Sequence, residues 1–217
     1  MSSTTTMRPL SERFFERLAR CALGLACFGT GIACFVKSEM GVPPWDVFHQ
    51  GVAGRTDVRM GTVIVFTGIA LLVLWIPLRQ RPGIGTIMNA LEIGLVENIA
   101  EELLPATGHI VGRLVYLVLG MLLIAGGSGL YIGAELGTGP RDGLMVGINQ
   151  RFGVSIRFAR TIVEVVVMII GLTLGGTLGI GTFIFAFGIG PLVQTMLGVF
   201  KMSPSAIAAA SSEAAEQ

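Results

Sequence analysis

Six apolar runs, each close to 20 residues long, dominate this sequence. A transmembrane helix needs about 20 mainly apolar residues to cross the roughly 30 Å hydrocarbon core of a bilayer. Apolar residues make up 52% of the chain and charged residues 13%, the latter about half the share found in soluble domains. The sequence therefore predicts an all-α, polytopic transmembrane helical bundle and excludes an ordinary soluble enzyme. The predicted spans are residues 18–36, 61–78, 86–104, 111–133, 156–175 and 180–200.

The chain also contains an internal repeat. GVPPWD at 41–46 aligns with GTGPRD at 137–142, an offset of 96 residues. At this offset, residues 17–98 give 20 identities over 82 positions without a gap. Apolar composition alone would match Leu with Leu, but it would not match Gly, Pro, Asp and Arg in register. The repeat is therefore a genuine feature of the architecture.

Each copy, 17–104 and 111–200, holds three predicted spans. Because three is an odd number, the second copy starts on the opposite side of the membrane and is inverted. Two inverted three-span repeats are a recurring design of secondary transporters, although proteins that transport nothing share it. Around the repeats we expect a polar N-terminus at 1–16 that contains the start of an interfacial helix (8–20), and a disordered tail at 203–217.

The distribution of basic residues predicts the orientation. With the N-terminus in the cytoplasm, the inner segments carry eleven Lys and Arg residues and the outer segments four. This bias follows the positive-inside rule and places both termini in the cytoplasm, with the chain in a bacterial cytoplasmic membrane. The net charge of +1 gives no basic field that would indicate nucleic acid as a partner.

Two short helices are predicted between spans, at about 44–53 and 140–151. Each begins with a proline, Pro44 or Pro140, which suits the first helical position. At 1.5 Å per residue these helices reach only about 15–18 Å, too little to cross the membrane. We therefore expect them to be interfacial or re-entrant, with irregular ends buried in protein or lining water.

Asp46 and Asp142 follow the two prolines and invite two interpretations. Either carboxylate can compensate the free N–H groups of its helix end, or the two form a symmetry-related ligand site. His49 and Gln50 lie on the helical face of Asp46, and an Asp–His pair can exchange a proton near neutral pH. The second copy has apolar residues in their place, so such a relay would be one-sided.

Three charged residues lie within predicted spans. Arg160 precedes Glu164 by four residues, on the same face of the fifth span, and Glu92 lies in the third. Ionisable residues at depth are costly and indicate function by default, so Arg160 is the expected partner of Glu164 and an alternative partner of Glu92. A purely structural ion pair is the competing interpretation.

Small residues predict turns and close packing. The two GIGT sequences lack the spacing and the lysine of a P-loop, so their glycines are expected in tight turns. Ala90 and Gly94 in the third span match Ala186 and Gly190 in the sixth, which predicts close packing of these spans at the pseudo-two-fold axis. The turn glycines are Gly83, Gly85, Gly179 and Gly181.

No metal or cofactor site is expected. Cys21, Cys27 and Cys34 all lie in the first span, at spacings that fit neither a zinc site nor a redox pair. The two histidines do not form a metal-binding motif.

The segments PPWDVFHQG (43–51), GPRDGLM (139–145) and GIGTFIFAFGIGPLVQ (179–194) resemble the YczE/YyaS/YitT-type family of bacterial integral membrane proteins, most closely its YczE branch. The resemblance extends over about residues 15–200. It implies a small, repeated protein of the cytoplasmic membrane and supplies no catalytic residues. It marks as positions of interest Pro44, Trp45, Asp46, His49, Gln50, Pro140, Arg141, Asp142, Pro191 and Gln194.

Two functions remain open at this point. The first is a small secondary transporter or exporter of a small molecule or ion, bound at the repeat interface by the charged residues above. The second is a membrane scaffold or accessory protein that supports another system. An enzyme is not expected, because the sequence offers no nucleophile–base pair. A chain of 22.9 kDa is small for a closed transport path, so a homodimer is a further expectation.

Overall fold

The computed structural model describes residues 13–200, which form eight α-helices and no strand. The all-α prediction is confirmed. The predicted spans correspond to α1, α3, α4, α5, α7 and α8, and the predicted short helices to α2 and α6. The bounds are α1 Phe14–Ser38, α2 Pro44–Thr56, α3 Met60–Trp75, α4 Ile84–Leu103, α5 Ile110–Gly133, α6 Pro140–Phe152, α7 Ile156–Thr173 and α8 Ile180–Val199.

The helices of the second half begin 96 residues after those of the first. This offset holds for all four pairs, α1 with α5 through α4 with α8. The turns after α1 and α5 are also alike, since Glu39 and Glu135 both have φ of 52°. Gly41 follows in one turn at φ 102°, and a Cβ there would lie 2.5 Å from the Gly179 nitrogen. Glycine is required at this position by its conformation and by this close approach.

The two halves meet along α1 and α5, which run antiparallel. Gly24 lies against Gly127, and Gly31 lies against Gly120. A Cβ on Gly24 would come within 2.7 Å of the Gly127 oxygen, and one on Gly127 within 2.4 Å of the Gly24 oxygen. Gly24 and Gly120 are repeat equivalents, as are Gly31 and Gly127. The contact is thus reciprocal, like the self-complementary interface of a two-fold dimer.

Arginines fasten the ends of this helix pair. Arg17 of α1 donates to the carbonyls of Ala134 and Glu135 after α5, each at 2.8 Å. Its repeat equivalent, Arg113 of α5, pairs with the Glu39 carboxylate after α1. Carbonyls left free at a helix end are good partners for a cation. The same residue position in each half therefore contacts the end of the other half's helix, through backbone carbonyls for Arg17 and through a carboxylate for Arg113.

The third and sixth spans, predicted to pack near the pseudo-two-fold axis, do not pack on each other. α4 and α8 form no packed interface, and the small residues of α4 face α3 instead. Gly94 packs on Gly61, where a Cβ on either residue would lie 2.0 Å from the other's oxygen. Ala90 packs on Gly68 in the same way. The small-residue stripe pairs neighbours within one copy because α1 and α5 already occupy the centre.

The second half lacks this close packing. Arg157 and Glu164 occupy the positions equivalent to Gly61 and Gly68, and α7 does not pack closely on α8. α7 packs on α2 of the other half instead, and a Cβ on Gly171 would lie 2.5 Å from the Phe48 nitrogen. The two copies therefore differ at this interface, which is closed between α3 and α4 and open between α7 and α8.

Apolar side chains cover the outside of the bundle. Phe66, Leu95, Leu114 and Phe187 are among many large apolar residues that are exposed, as in a protein surrounded by lipid. Within residues 13–200, three helices (α1, α5 and α8) are each long and apolar enough to cross a bilayer, or four spans if α2 and α3, bent by 116°, count as one. α4 and α7 contain several charged residues and do not meet this criterion. Length and composition alone therefore do not support the prediction of six membrane crossings.

The structure differs in part from the predicted interfacial helix at residues 8–20. Residues 14–20 are the first turns of α1 rather than a separate surface helix. The rest of that predicted helix, 8–12, and the predicted tail, 203–217, lie outside the described residues.

Candidate functional site

A cavity of about 240 Å³ lies between the two halves. The N-terminal ends of α2 and α6 reach it, and α3, α4, α5, α7 and α8 supply further walls. Several positions contribute from both copies, which places the cavity around the repeat interface. These pairs are Phe28/Ile124, Pro43/Gly139, Pro44/Pro140, Trp45/Arg141, Asp46/Asp142, Ile64/Arg160, Gly68/Glu164, Asn89/Phe185, Ala90/Ala186 and Ile93/Ile189.

The starts of α2 and α6 meet at this cavity because each follows an extended turn that leads inward. Arg141 lies over the Trp45 ring, with 5.0 Å from its Cζ to the ring centroid. The same guanidinium is 3.8 Å from Asp46 Oδ1. A cation over an indole face is favourable, increasingly so when water is excluded. Two equivalent positions, 45 and 141, thus hold each other across the repeat interface.

Asp46 and His49 form a fully buried pair. His49 Nδ1 donates to Asp46 Oδ1 at 2.8 Å, because a carboxylate only accepts hydrogen bonds. Within the described residues, neither His49 Nε2 nor Trp45 Nε1 has a hydrogen-bond partner. Pro43 precedes α2 and has no N–H, so the Asp46 carboxylate cannot accept a hydrogen bond from the backbone nitrogen of the residue before its helix. It binds His49 and Arg141 instead.

Asp142 occupies the equivalent position in α6 with different partners. The Tyr131 hydroxyl donates to its Oδ2 at 3.4 Å, and the Gly139 N–H donates to the same carboxylate. The helix-end interpretation therefore describes Asp142 well. Arg160 also acts on Asp142 electrostatically, and its Nε donates to Glu164 Oε1 at 3.2 Å.

The cavity thus gathers five of the eight predicted site residues: Asp46, Arg141, Asp142, Arg160 and Glu164. His49 joins them through its bond to Asp46. Two guanidinium groups and three carboxylates give it both signs of charge. Such a site can hold a small polar molecule.

Gln50 and Glu92 do not line the cavity. Gln50 Oε1 accepts from the Thr177 N–H at 2.7 Å and joins α2 to the turn before α8. Glu92 is half-buried on α4, and the titratable side chain near it is Cys21 of α1 rather than Arg160. Helical position alone did not reveal which face of each helix meets the cavity.

The glycines of the GIGT turns serve contacts between the copies. The Gly85 N–H donates to the Leu136 carbonyl at 2.9 Å, and the Gly181 N–H to the Met40 carbonyl at 2.8 Å. Gly83 and Gly179 precede α4 and α8, where each N–H donates to the threonine hydroxyl three residues later. The turns bind backbone from the other copy, and Pro44 and Pro140 are the first residues of their helices.

Tyr131 and Asn89 line the cavity and were not predicted as site residues. The sequence did contain a signal for Tyr131, because its repeat equivalent is Phe35. The two side chains differ only in the hydroxyl, which is a polar group present in one copy alone. Asn89 is a lone amide in an apolar stretch of α4. In residues 13–200, no three His, Cys, Asp or Glu side chains converge as a metal site would require.

Comparison with known proteins places the chain among uncharacterised relatives. Residues 15–197 match a family of unknown function, DUF6198. The chain is 36% identical over 190 residues to an uncharacterised protein of Haemophilus influenzae, covering 88% of this chain and 87% of that one. It is 30% identical over 177 residues to the uncharacterised membrane protein YczE of Bacillus subtilis, covering 80% and 82%. It is 23% identical over 166 residues to YyaS of the same organism, covering 75% and 83%.

No solved structure matches the chain. The resemblance to YczE and YyaS, inferred from the PPWD and GPRD segments, is confirmed. Several apolar helices and a relative described as a membrane protein agree on the environment. The chain is a membrane protein and belongs to the DUF6198 family of unknown function.

Proposed function

We propose that this protein is a small secondary transporter that binds its substrate in the cavity between two inverted copies. The main observation behind this proposal is that equivalent positions of both copies line one charged cavity. Secondary transporters commonly place their site at a repeat interface and build it from the ends of short helices. Here α2 and α6 provide those ends.

The reciprocal contact of α1 with α5 supports the inverted arrangement. The two helices run antiparallel, and Gly24–Gly127 repeats as Gly31–Gly120. If α1 and α5 both cross the bilayer, the axis relating the copies lies in the membrane plane. With the excess of Lys and Arg in the cytoplasm, both termini would face the cytoplasmic side of a bacterial inner membrane.

The difference between the α3–α4 interface and the α7–α8 interface supports a movement of α3 and α7. α3 is closed on α4 through glycine contacts, whereas α7 stands away from α8. In this proposal access changes when α3 leaves α4 and α7 approaches α8. The charged Arg157 and Glu164 prevent α7 from closing as tightly as α3 does, so a ligand is needed to fill the gap beside Arg160 and Glu164.

The cavity fits a small zwitterionic substrate. A water molecule occupies about 30 Å³ of liquid, so 240 Å³ has room for roughly eight waters or one small molecule. Arg141, Arg160 and the two helix N-termini favour a negative group. Asp142 and Glu164 favour a positive group close by. A molecule of amino-acid size that carries one negative and one positive group can pair with the arginines and helix N-termini and with the two carboxylates.

Ligand-induced stabilisation tests this function. We would measure the melting temperature of the purified protein with zwitterions, cations and anions of amino-acid size, because a ligand that binds only the folded state raises it. Hits would be tested for counterflow in liposomes. Asp142→Asn and Glu164→Gln are expected to lose both effects, whereas Asp57→Asn, at an exposed acid outside the cavity, is the control.

Two results would contradict the proposal. The first is that no charge class stabilises the protein or exchanges across liposomes. The second is that the cavity variants behave like the Asp57 control. Either result would favour the accessory-protein alternative, which needs no aqueous path.

A further inference from the structure

Glu97 of α4 is a buried acid outside the cavity lining. It has no exposed surface, and neither carboxyl oxygen accepts a hydrogen bond from the described residues. It follows Ala90 and Gly94 on the helical face that packs on α3. A Cβ on Gly61 would lie 2.5 Å from Glu97 Oε2. The Gly61 N–H also acts on this carboxyl, but its well-formed hydrogen bond goes to Asn98 Oδ1 at 3.1 Å.

The ionisable groups that act on Glu97 lie on α4 itself, on α2 and just before α3. Glu101 of α4 and Asp46 of α2 are acids and oppose a negative charge at Glu97. Arg59, just before α3, favours it, but its guanidinium also pairs with Glu102 at 3.1 Å. α1 meets Glu97 with glycine backbone. The surroundings thus supply more negative than positive charge.

An ionised carboxylate in this position would be expensive. Burying a charge without a hydrogen-bonded partner costs several kcal/mol, and acids within membrane helices rarely remain so. The neutral acid avoids most of this cost. Packing of α3 on α4 therefore favours the protonated form of Glu97.

We propose that Glu97 is a proton-binding site that is loaded while α3 is packed on α4 and emptied when the two helices separate. The inference rests on the proposed function, since the same movement of α3 would give access to the cavity, and it identifies H⁺ as the coupling ion. Separation removes the Gly61 backbone that covers the carboxyl. Water then solvates Glu97, and the O–H proton passes to water.

The surroundings of Glu97 offer a short way to solvent. A surface groove begins one helical turn along α4, where Glu101 and Glu102 line it together with Arg59. In the second copy the equivalent position is Val193. The proton site is therefore present once per chain, and each movement of α3 would carry one proton.

Infrared spectroscopy of the full-length protein in detergent tests the protonation. The C=O stretch of a protonated carboxylic acid is separated from the bands of ionised carboxylates. The wild type at neutral pH is expected to show an acid band that Glu97→Gln abolishes. Asp57→Asn, at an exposed acid at the end of α2 that lines neither the cavity nor the groove, is the control and should keep the band. If Glu97→Gln fails to fold, Glu97→Asp must shift the band.

A distance measurement tests the coupling to movement. Spin labels at Phe66 of α3 and Leu95 of α4, both exposed, report the separation of the helices. Raising the pH is expected to lengthen this distance in the wild type and to leave Glu97→Gln closed. The proposal is overturned if no acid band depends on Glu97, or if the distance lengthens equally in both proteins.

Neither readout requires a substrate. A protein with the Glu97 band and the pH-dependent separation that moves no solute would refute the transporter and keep the proton site. A protein that exchanges a zwitterion but lacks the band would keep the transporter and refute the proton site.

Discussion

Two adjacent glycines of α5 provide a stringent test of the helix pair at the centre of the molecule. A Cβ at Gly127 would lie 2.4 Å from the Gly24 oxygen, whereas one at Gly126 meets nothing within 4 Å. Favourable carbon contacts are about 3.5–4.0 Å long, so Gly127→Ala must push α1 and α5 apart by at least about 1 Å. Gly126→Ala requires no movement.

The expected difference in stability follows from this geometry. Replacing Gly by Ala within a helix favours the folded state by up to about 1 kcal/mol, and both variants receive this gain. Comparing them cancels it and leaves the cost of overpacking, about 1–3 kcal/mol. Since 1.4 kcal/mol corresponds to a tenfold change in an equilibrium constant, the unfolding constants of the two variants should differ by about 5-fold to over 100-fold.

Equilibrium unfolding in mixed micelles, with rising fractions of a denaturing detergent, measures this difference. The fluorescence of Trp45 and Trp75 reports the transition. Gly127→Ala is expected to unfold at a lower fraction than Gly126→Ala. Gly24→Ala and Gly120→Ala, equivalent to each other, should cost similar amounts. Equal stability of Gly126→Ala and Gly127→Ala would refute the close antiparallel contact of α1 and α5.

Two further predictions concern orientation and the helix ends. In a cysteine-free background, single cysteines at Arg55 and Arg151 should differ in whole cells, with an impermeant maleimide labelling position 55 alone; labelling of both or neither would contradict the inversion. Arg17→Gln leaves two carbonyls, of Ala134 and Glu135, without their charged donor and should lower the free energy of unfolding by about 3 kcal/mol. Arg20→Gln, which breaks an exposed pair, should cost under about 1 kcal/mol in the same unfolding assay.

Helix positions were predictable because they depend on local sequence. Apolar runs of about 20 residues, prolines at first helical positions and the 96-residue offset together locate every helix from α1 to α8. The offset adds information, because a boundary that is clear in one copy fixes the equivalent boundary in the other. The pairing of Arg160 with Glu164 was also accessible, since both lie one turn apart on one helix.

The partners of each helix were harder to predict, because they depend on contacts between distant segments. Ala90 and Gly94 predict a surface on which another helix packs closely, but they do not indicate which helix it is. The same stripe continues to Glu97, seven residues after Ala90, and this continuation could have singled out Glu97 over Glu92. Glu92 was selected by its depth in the predicted span, and depth does not show which face of the helix a residue occupies.

The loss of two glycines in the second copy has an energetic consequence. If the protein alternates between two states as proposed, equal copies would give two conformations of equal free energy, related by exchange of the halves. With Arg157 and Glu164 in place of Gly61 and Gly68, the degeneracy is lifted and the free protein has one preferred state. A ligand changes such a balance only by binding one state more tightly, and turning a 1:99 ratio into 99:1 requires about 5.5 kcal/mol of differential affinity. In the proposed transporter, the side chains that break the symmetry of this duplicated chain would therefore also determine how selective a ligand must be between the two states.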